Sequence, residues 1–395
     1  MTAIVEFDPI GAESIKGALG PDSAALPGLD ALRTHLDLNP FEDCVVLGPS
    51  VDQQDVFELA EDMRLRRPSL GVVMIRRRID TAILSDAIRA GVREVVQERD
   101  LAGLATAVRR QREIAARLRE QVENPSGTET KTRGGRVVTV FSAKGGCGKT
   151  TLATNLAAAL ADSGKGSVAL LDLDLAFGDV AIALQLFPSH TIADAVPIGK
   201  DLDGPALLSL LTSHRSGLQA LVAPMEPSAG DSIDTPLVVR IVDLLKQEFD
   251  YVIIDTPPAL DDNVLAAFDR SDVVALLATL DIPALKNLKL TLETLELIGF
   301  PRERLKIVLN RSDSKVGLVL SEVEKSLKAP IAAQIPSSRD VPASTNRGVA
   351  IVSDEPKNPV SVAIRAFIDE YVVATGDGAI PAQMRTDRRS RRWRR

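Results

Sequence analysis

The segment FSAKGGCGKTT, residues 141–151, gathers the residue types best suited to holding a phosphate. It follows an apolar, β-branched run, RVVTVFS, and precedes a helical pattern, TTLATNLAAALAD, so it reads as the turn between a strand and a helix. Gly145, Gly146 and Gly148 let backbone amides turn inward onto phosphate oxygens, and the helix that begins near Lys149 presents its positive end to the same anion. Lys149 is placed to reach β- and γ-phosphates and the Thr150 hydroxyl to ligate Mg2+, with Thr151 beside it in the cradle. Cys147 occupies the variable position, where it serves as a small residue whose amide faces phosphate rather than as a reactive thiol.

The general phosphate-loop pattern would place glycine at Ala143. Lys144 followed by Gly-Gly-x-Gly-Lys-Thr instead resembles the deviant Walker A motif of the ParA/MinD ATPases. That resemblance implies ATP and Mg2+ as cofactors and an ATP-dependent homodimer in which Lys144 contacts the nucleotide of the partner subunit. It also implies slow hydrolysis in the monomer. In LLDLDLAFGDV (170–180) it assigns Asp174 to the attacking water and Asp172 to the Mg2+ shell. YVIIDTPP (251–258) looks like a Walker B strand, which places Asp255 to hold Mg2+. Asn310, ending LKIVLNR, matches the adenine-reading asparagine of the family, and IPSSRDVPASTNRG (335–348) matches its later nucleotide-side loop. Aspartate at a strand end is also a common helix cap and asparagine an ordinary turn former, so these residues acquire meaning only with the phosphate loop upstream.

Lys144, Lys149, Thr150, Asp174 and Asp255 would together hold a γ-phosphate, neutralise its charge and align a water, which is what phosphoryl transfer requires. To position them, the chain must supply strands that end at one edge. Strand candidates recur at 136–142, 167–174, 251–258, 272–280, 305–311 and 330–336, with helical patterns between most of them. Near-continuous apolar strands with helical crossovers predict a parallel sheet covered on both faces, a P-loop NTPase domain over 136–376. Before it, CVVLG (44–48), GVVMI (71–75) and REVVQ (93–97) alternate with helical patterns at 55–67 and 81–91, which predicts a second α/β module over 1–123. Residues 100–123 read as one long helix packing on its own sheet rather than as a coiled coil, which normally needs three to four heptads. NPSGTETKTRGG (124–135) is the expected linker.

At 395 residues, two or more cores are expected. Aromatics are 3% of the chain, so nucleic-acid binding by stacking has little to work with. Cys44 and Cys147 are the only cysteines; they build no disulfide framework or iron–sulfur site and suggest a reducing, cytoplasmic setting. No apolar run is long enough to span a bilayer, and no secretion signal is expected. The net charge is −7, yet 385–395, RTDRRSRRWRR, holds seven arginines against one aspartate, a tail over 377–395 suited to solvent or to an anionic membrane surface.

LDLDLAFGDVAIAL, the NRS after the later strand and IPSSRDVPASTNRG resemble the CpaE/TadZ branch of the ParA/MinD ATPases. Members of that branch help place and assemble Tad (Flp-type) pili and carry an N-terminal receiver-like module. The resemblance implies partners in pilus or secretion machinery, or a polar or membrane receptor. It also implies a receiver-like, flavodoxin-like fold for the first module, with VVLGPS (45–50) at the phosphoacceptor strand. Gly48 stands where the phosphorylated aspartate would be, and Gln97 near the usual lysine, so no phosphoryl acceptor is expected. The alternative is a MinD-like division regulator, which would end in an amphipathic membrane helix. A partition ATPase would need a basic DNA face, and Arg302, Arg304, Arg339 and Arg347 are too scattered for one, so no specific DNA binding is expected.

Overall fold

The structure, a computed structural model, describes residues 2–67, 69–79, 83, 86–87, 90–123, 134–313 and 319–373. The expected tail over 377–395, positions 124–133 of the expected linker and most of the 81–91 helical pattern lie outside the described residues.

Two sheets organise the chain. The first holds β1 (Thr2–Val5), β2 (Ser23–Leu26), β3 (Cys44–Leu47), β4 (Gly71–Arg76) and β5 (Glu94–Gln97) in the order β2-β1-β3-β4-β5, every pair parallel. This 2-1-3-4-5 order is a doubly wound arrangement, with helices on both faces. Leu32, Val45, Leu47 and Met74 pack on one face, and Ile4, Val46, Val73 and Leu104 on the other. The apolar runs at 44–47, 71–76 and 94–97 become strands as expected. β1 and β2 add two strands that the pattern analysis did not single out. Asp8 and Asp52 cap the helices Pro9–Leu19 and Gln53–Arg66 by accepting hydrogen bonds from first-turn amides.

The long helix Leu101–Glu123 departs from expectation in what it covers. Leu104, Ala107 and Val108 pack on the first sheet, but Ile114 joins the apolar cluster of the second. One helix therefore serves both units.

The second sheet holds β6 (Arg136–Phe141), β7 (Val168–Asp172), β8 (Thr212–Ser213), β9 (Gln219–Leu221), β10 (Tyr251–Asp255), β11 (Val273–Thr279), β12 (Leu305–Asn310) and β13 (Ile331–Ile335). Its order is β13-β12-β11-β6-β10-β7-β9-β8. All pairs are parallel except β8 with β9, a short antiparallel edge that the all-parallel expectation did not include. Its central strands are buried on both faces, which is why they read as continuous apolar runs. Two residues assigned to the linker also belong here. Gly135 donates its amide to the Lys246 carbonyl at 2.6 Å, and a side chain on Gly135 would strike the Phe249 carbonyl.

Candidate nucleotide site

Five strands of the second sheet deliver side chains to one edge. β6 runs into residues 142–148, and the helix Lys149–Asp162 leaves that turn behind Gly148, its N-cap. Gly146 and Gly148 hold φ of 74° and 98°, backbone that side-chain-bearing residues rarely adopt. A Cβ on Gly148 would also stand 2.6 Å from Asn310 Nδ2. The helix is apolar almost throughout and is buried from Leu152 to Leu160, so its N-terminal turn, with Lys149, Thr150 and Thr151, is fixed against the sheet. Lys149 is only 8% exposed. Cys147 is buried, with Sγ 3.8 Å from Thr279 Oγ1, as a small packing residue would be.

β7 and β10 are adjacent, and their register sets Asp172 directly beside Asp255. Asp172 accepts from the Asp174 amide at 3.0 Å and the Val180 amide at 3.2 Å, which draws residues 173–180 into a loop over the strand end. Asp174, two residues past the strand, is partly exposed and accepts from the Phe177 amide at 3.3 Å. Asp255 is fully buried, and neither of its carboxylate oxygens meets a protein hydrogen-bond partner. Burial, and then the charge of Asp255, push Asp172 well above the usual carboxylate range. Burial likewise raises Asp255, while the Thr150 hydroxyl and the Lys149 ammonium pull it back down.

An unpartnered buried carboxylate beside a second one and a threonine hydroxyl is a donor set that suits a hard divalent cation. Among the described residues no group of three or more His, Cys, Asp or Glu side chains gathers for a metal. The set fits Mg2+ in particular, which keeps waters and takes one or two carboxylates plus phosphate oxygens rather than an all-protein cage.

Lys144 sits elsewhere than a phosphate-facing residue of its own subunit. Its Nζ donates to Asp281 Oδ1 at 2.8 Å, and both side chains are a little over a third exposed. Asp281 follows β11 and caps the helix Ile282–Leu297 through the Ala284 amide at 3.0 Å; it also accepts from Thr279 Oγ1 at 2.6 Å. Burial raises its pKa, but the hydrogen bonds from Lys144, Thr279 and Ala284 outweigh that and bring it to about 2. Asn287, one turn further along this helix, donates to the Ala143 carbonyl at 3.1 Å and steadies the start of the loop. Asp281 and Asn287 were not singled out from sequence. An aspartate two residues before a proline, at the start of a helix, is already explained as a cap.

Asn310, at the end of β12, donates from Nδ2 to the Cys147 carbonyl at 2.7 Å. It thereby ties β12 to the phosphate loop, and it lines a cavity of about 340 Å3 with Gly148, Thr151, Pro336, Val341 and Ile364. The 335–348 segment thus forms one wall of a cavity that opens beside the loop, with a volume suited to a nucleoside.

Comparison with known proteins agrees with this geometry. Residues 138–351 match the CbiA family model, described as the CobQ/CobB/MinD/ParA nucleotide binding domain. The chain belongs to this family. Its relatives include the septum site-determining protein MinD of Thermotoga maritima, 30% identical over 225 residues, covering 55% of this chain and 81% of that one. MinD of Bacillus subtilis is 29% identical over 249 residues, 58% of this chain and 87% of its own. Among solved structures, a ParA family ATPase from Chlorobium tepidum superposes with a TM-score of 0.57 at 25% identity, over 60% of this chain and 99% of that chain. MinD from Pyrococcus horikoshii, solved in complex with Mg-ADP, superposes at 0.53 and shares the fold at 22% identity, over 60% of this chain and 95% of that chain.

The family match begins at Val138, so the first sheet lies outside it. There Gly48 directly follows β3 and Gln97 ends β5. The space a side chain on Gly48 would need is filled by Glu6, which accepts from the Ser50 amide at 3.1 Å and the Asp8 amide at 2.8 Å. Arg76, at the end of β4, donates to the Gly48 carbonyl at 3.3 Å. Among the described residues no helix is long and apolar enough to cross a membrane.

Proposed function

We propose that this protein is an ATPase that binds Mg-ATP, dimerises on it and hydrolyses it slowly. The observation that carries the reading is Asp255, a fully buried carboxylate whose oxygens form no well-aligned protein hydrogen bond, set in register with Asp172 and under the influence of the Thr150 hydroxyl and the Lys149 ammonium. In this reading the amides of residues 145–151 and the Lys149 ammonium hold the β- and γ-phosphates. Thr150, Asp172 and Asp255 hold Mg2+, which when bound offsets phosphate charge. Asp174, partly exposed at the mouth of the loop, takes up the attacking water. Asn310 and the 335–348 wall receive the base. Lys144, turned away from its own loop, is available to the nucleotide of a second subunit once it leaves Asp281. Isothermal titration with ATP tests the assignment: binding should require Mg2+ and be lost in Lys149→Ala, and an unchanged affinity in that variant would remove the site.

The role in the cell is read from the resemblance of residues 171–184, 310–312 and 335–348 to the CpaE/TadZ branch. We assign the protein to positioning or assembling a Tad (Flp-type) pilus, with residues 1–123 as a receiver-like module, 124–135 as a linker, 136–376 as the ATPase domain and 377–395 as a basic tail. The 2-1-3-4-5 sheet order and the Glu6-filled space beside Gly48 support a receiver-like module that accepts no phosphate. The septum-site relatives favour a second reading, a MinD-like division regulator. Deleting the gene separates the two: loss of surface pili with normal division supports the first, and displaced septa with pili intact supports the second.

A further inference from the structure

The two sheets meet along a seam of charges that the nucleotide reading does not use. On the N-terminal side, Arg64 donates from Nε to Asp203 Oδ2 at 2.9 Å and from Nη2 to the Asp201 carbonyl at 2.7 Å. Arg93, its side chain 4% exposed, has Nη1 3.9 Å from the other oxygen of Asp203. Burial lowers the pKa of Arg93 to about 10, and Asp203 is the anion that works against that loss. A buried cation is thus compensated from across the seam, an arrangement in which removing one partner costs far more than an exposed ion pair would. Beside it Glu94, 7% exposed, accepts from Arg110 Nη1 at 2.7 Å and lies 3.4 Å from His190 Nε2. Ile114 adds apolar contact by joining the cluster of Leu207 and Leu211.

The polar side of the seam that belongs to the nucleotide unit lies on one stretch of chain, from His190 to Asp203, and Leu207 and Leu211 extend it with apolar contact. That stretch continues directly from the short helix Val180–Ala183, whose first amide is held by Asp172. Between the two, residues 184–189 carry no helix or strand. The Ile192 amide donates to the Val222 carbonyl at 2.9 Å, and a Thr191–Asp194 capping box stiffens the turn that follows. Residues 184–189 and the capped turn after them are thus the covalent link between the Asp172–Asp179 loop and the seam. The Phe177 side chain on that loop is 78% exposed.

We infer that the N-terminal unit is a regulatory clamp on the nucleotide site: by gripping residues 190–203 it sets the position of the Asp172–Asp179 loop, and docking and nucleotide occupancy bias one another. The coupling is reciprocal by thermodynamic necessity. A partner that pulled the N-terminal unit from the seam would alter nucleotide affinity, and nucleotide binding would alter how the unit is held. The inference rests on the ATPase reading above.

The test uses the full chain and two variants that break the seam differently. Arg64→Glu reverses one charge. Asp203→Asn removes the other while keeping a side-chain oxygen for the Ala206 amide, which Asp203 caps at 2.8 Å, so the helix Gly204–Leu210 keeps its start. Hydrogen exchange on the wild type, with and without a non-hydrolysable ATP analogue and Mg2+, should show nucleotide-dependent protection at 90–97 and 187–213. Each variant should raise exchange there and change ATP affinity or phosphate release about fivefold or more. The double variant should match the singles within about twofold, because one clamp is being opened. Opened seams with affinity and turnover within twofold of wild type would overturn the clamp while leaving the ATPase intact. Failure of the wild type to bind nucleotide at all would overturn the ATPase reading itself, and the clamp with it.

Discussion

Replacing Asp281 by asparagine asks what the Lys144–Asp281 contact is for. Asparagine caps a helix as well as aspartate does, so the hydrogen bond from the Ala284 amide survives; the charge is lost, and the Thr279 hydroxyl, which donates to the other Asp281 oxygen, turns to accept from the new amide nitrogen. The pair is 2.8 Å apart with each side chain a little over a third exposed, which puts its worth in the range of screened surface pairs, about 0.2–1 kcal/mol. Asp281→Asn should therefore lower folding stability by no more than about 1 kcal/mol at neutral pH. The sign with pH follows from the depressed pKa: the pair contributes fully above the unfolded value of 3.8 and is lost as pH falls through about 2. The larger effect is on association. If Lys144 must leave Asp281 to reach the nucleotide of the partner, each dimer breaks two such pairs. Removing them in advance should tighten ATP-driven dimerisation between about twofold and about thirtyfold, since every 1.4 kcal/mol is tenfold. Sedimentation with ADP and with a non-hydrolysable ATP analogue gives the dimer constants. The analogue constant should tighten and the ADP constant should not, and in a Lys144→Ala background Asp281→Asn should change neither. A weaker analogue dimer in Asp281→Asn would refute the reasoning, because Asp281 would then support Lys144 in the dimer rather than compete for it.

Asp174→Ala should keep ATP affinity within a few-fold of wild type and lose most hydrolysis, so that the ATP-bound dimer accumulates; equal phosphate release by variant and wild type would take Asp174 out of the mechanism. Incubation with acetyl phosphate should leave residues 1–123 without an acid-labile adduct by intact-mass measurement, since Glu6 fills the space beside Gly48. His214, half-buried with Nδ1 2.9 Å from Ser216 Oγ, has its pKa lowered by burial and by Arg215. The unfolded chain then takes up the proton first, so stability should fall as pH drops below about 6.5, and urea midpoints of His214→Asn should show a shallower slope there. Gly135→Ala should cost about 1–3 kcal/mol, because the added methyl meets the Phe249 carbonyl in a backbone-paired strand start.

What could be read from sequence was what is encoded locally. The phosphate loop is legible because glycine at 145, 146 and 148 and lysine at 149 must be close in sequence to be close in space. The strands leading to Asp172, Asp255 and Asn310 are legible because a sheet buried on both faces leaves few polar interruptions, Lys306 at the partly exposed start of β12 being one. β1 and β2 were passed over since TAIV and SAAL are four residues each and rich in small side chains, and β8 and β9 are shorter still. The harder omissions are the contacts between residues that each have an adequate local explanation. Asp281 looks complete as a helix cap, yet it also holds Lys144 from 137 positions away. Arg64 looks like a solvated cation at a helix end and Asp203 like another cap, yet they meet across 139 positions. A charged residue that satisfies its own neighbourhood carries no mark of a second partner, so the contacts that join distant elements of this protein are the ones its sequence conceals. They become visible only when burial is counted: Arg93, with its side chain 4% exposed, cannot be a surface arginine, and following its charge to Asp203 leads from the first sheet to the chain that leaves the nucleotide site.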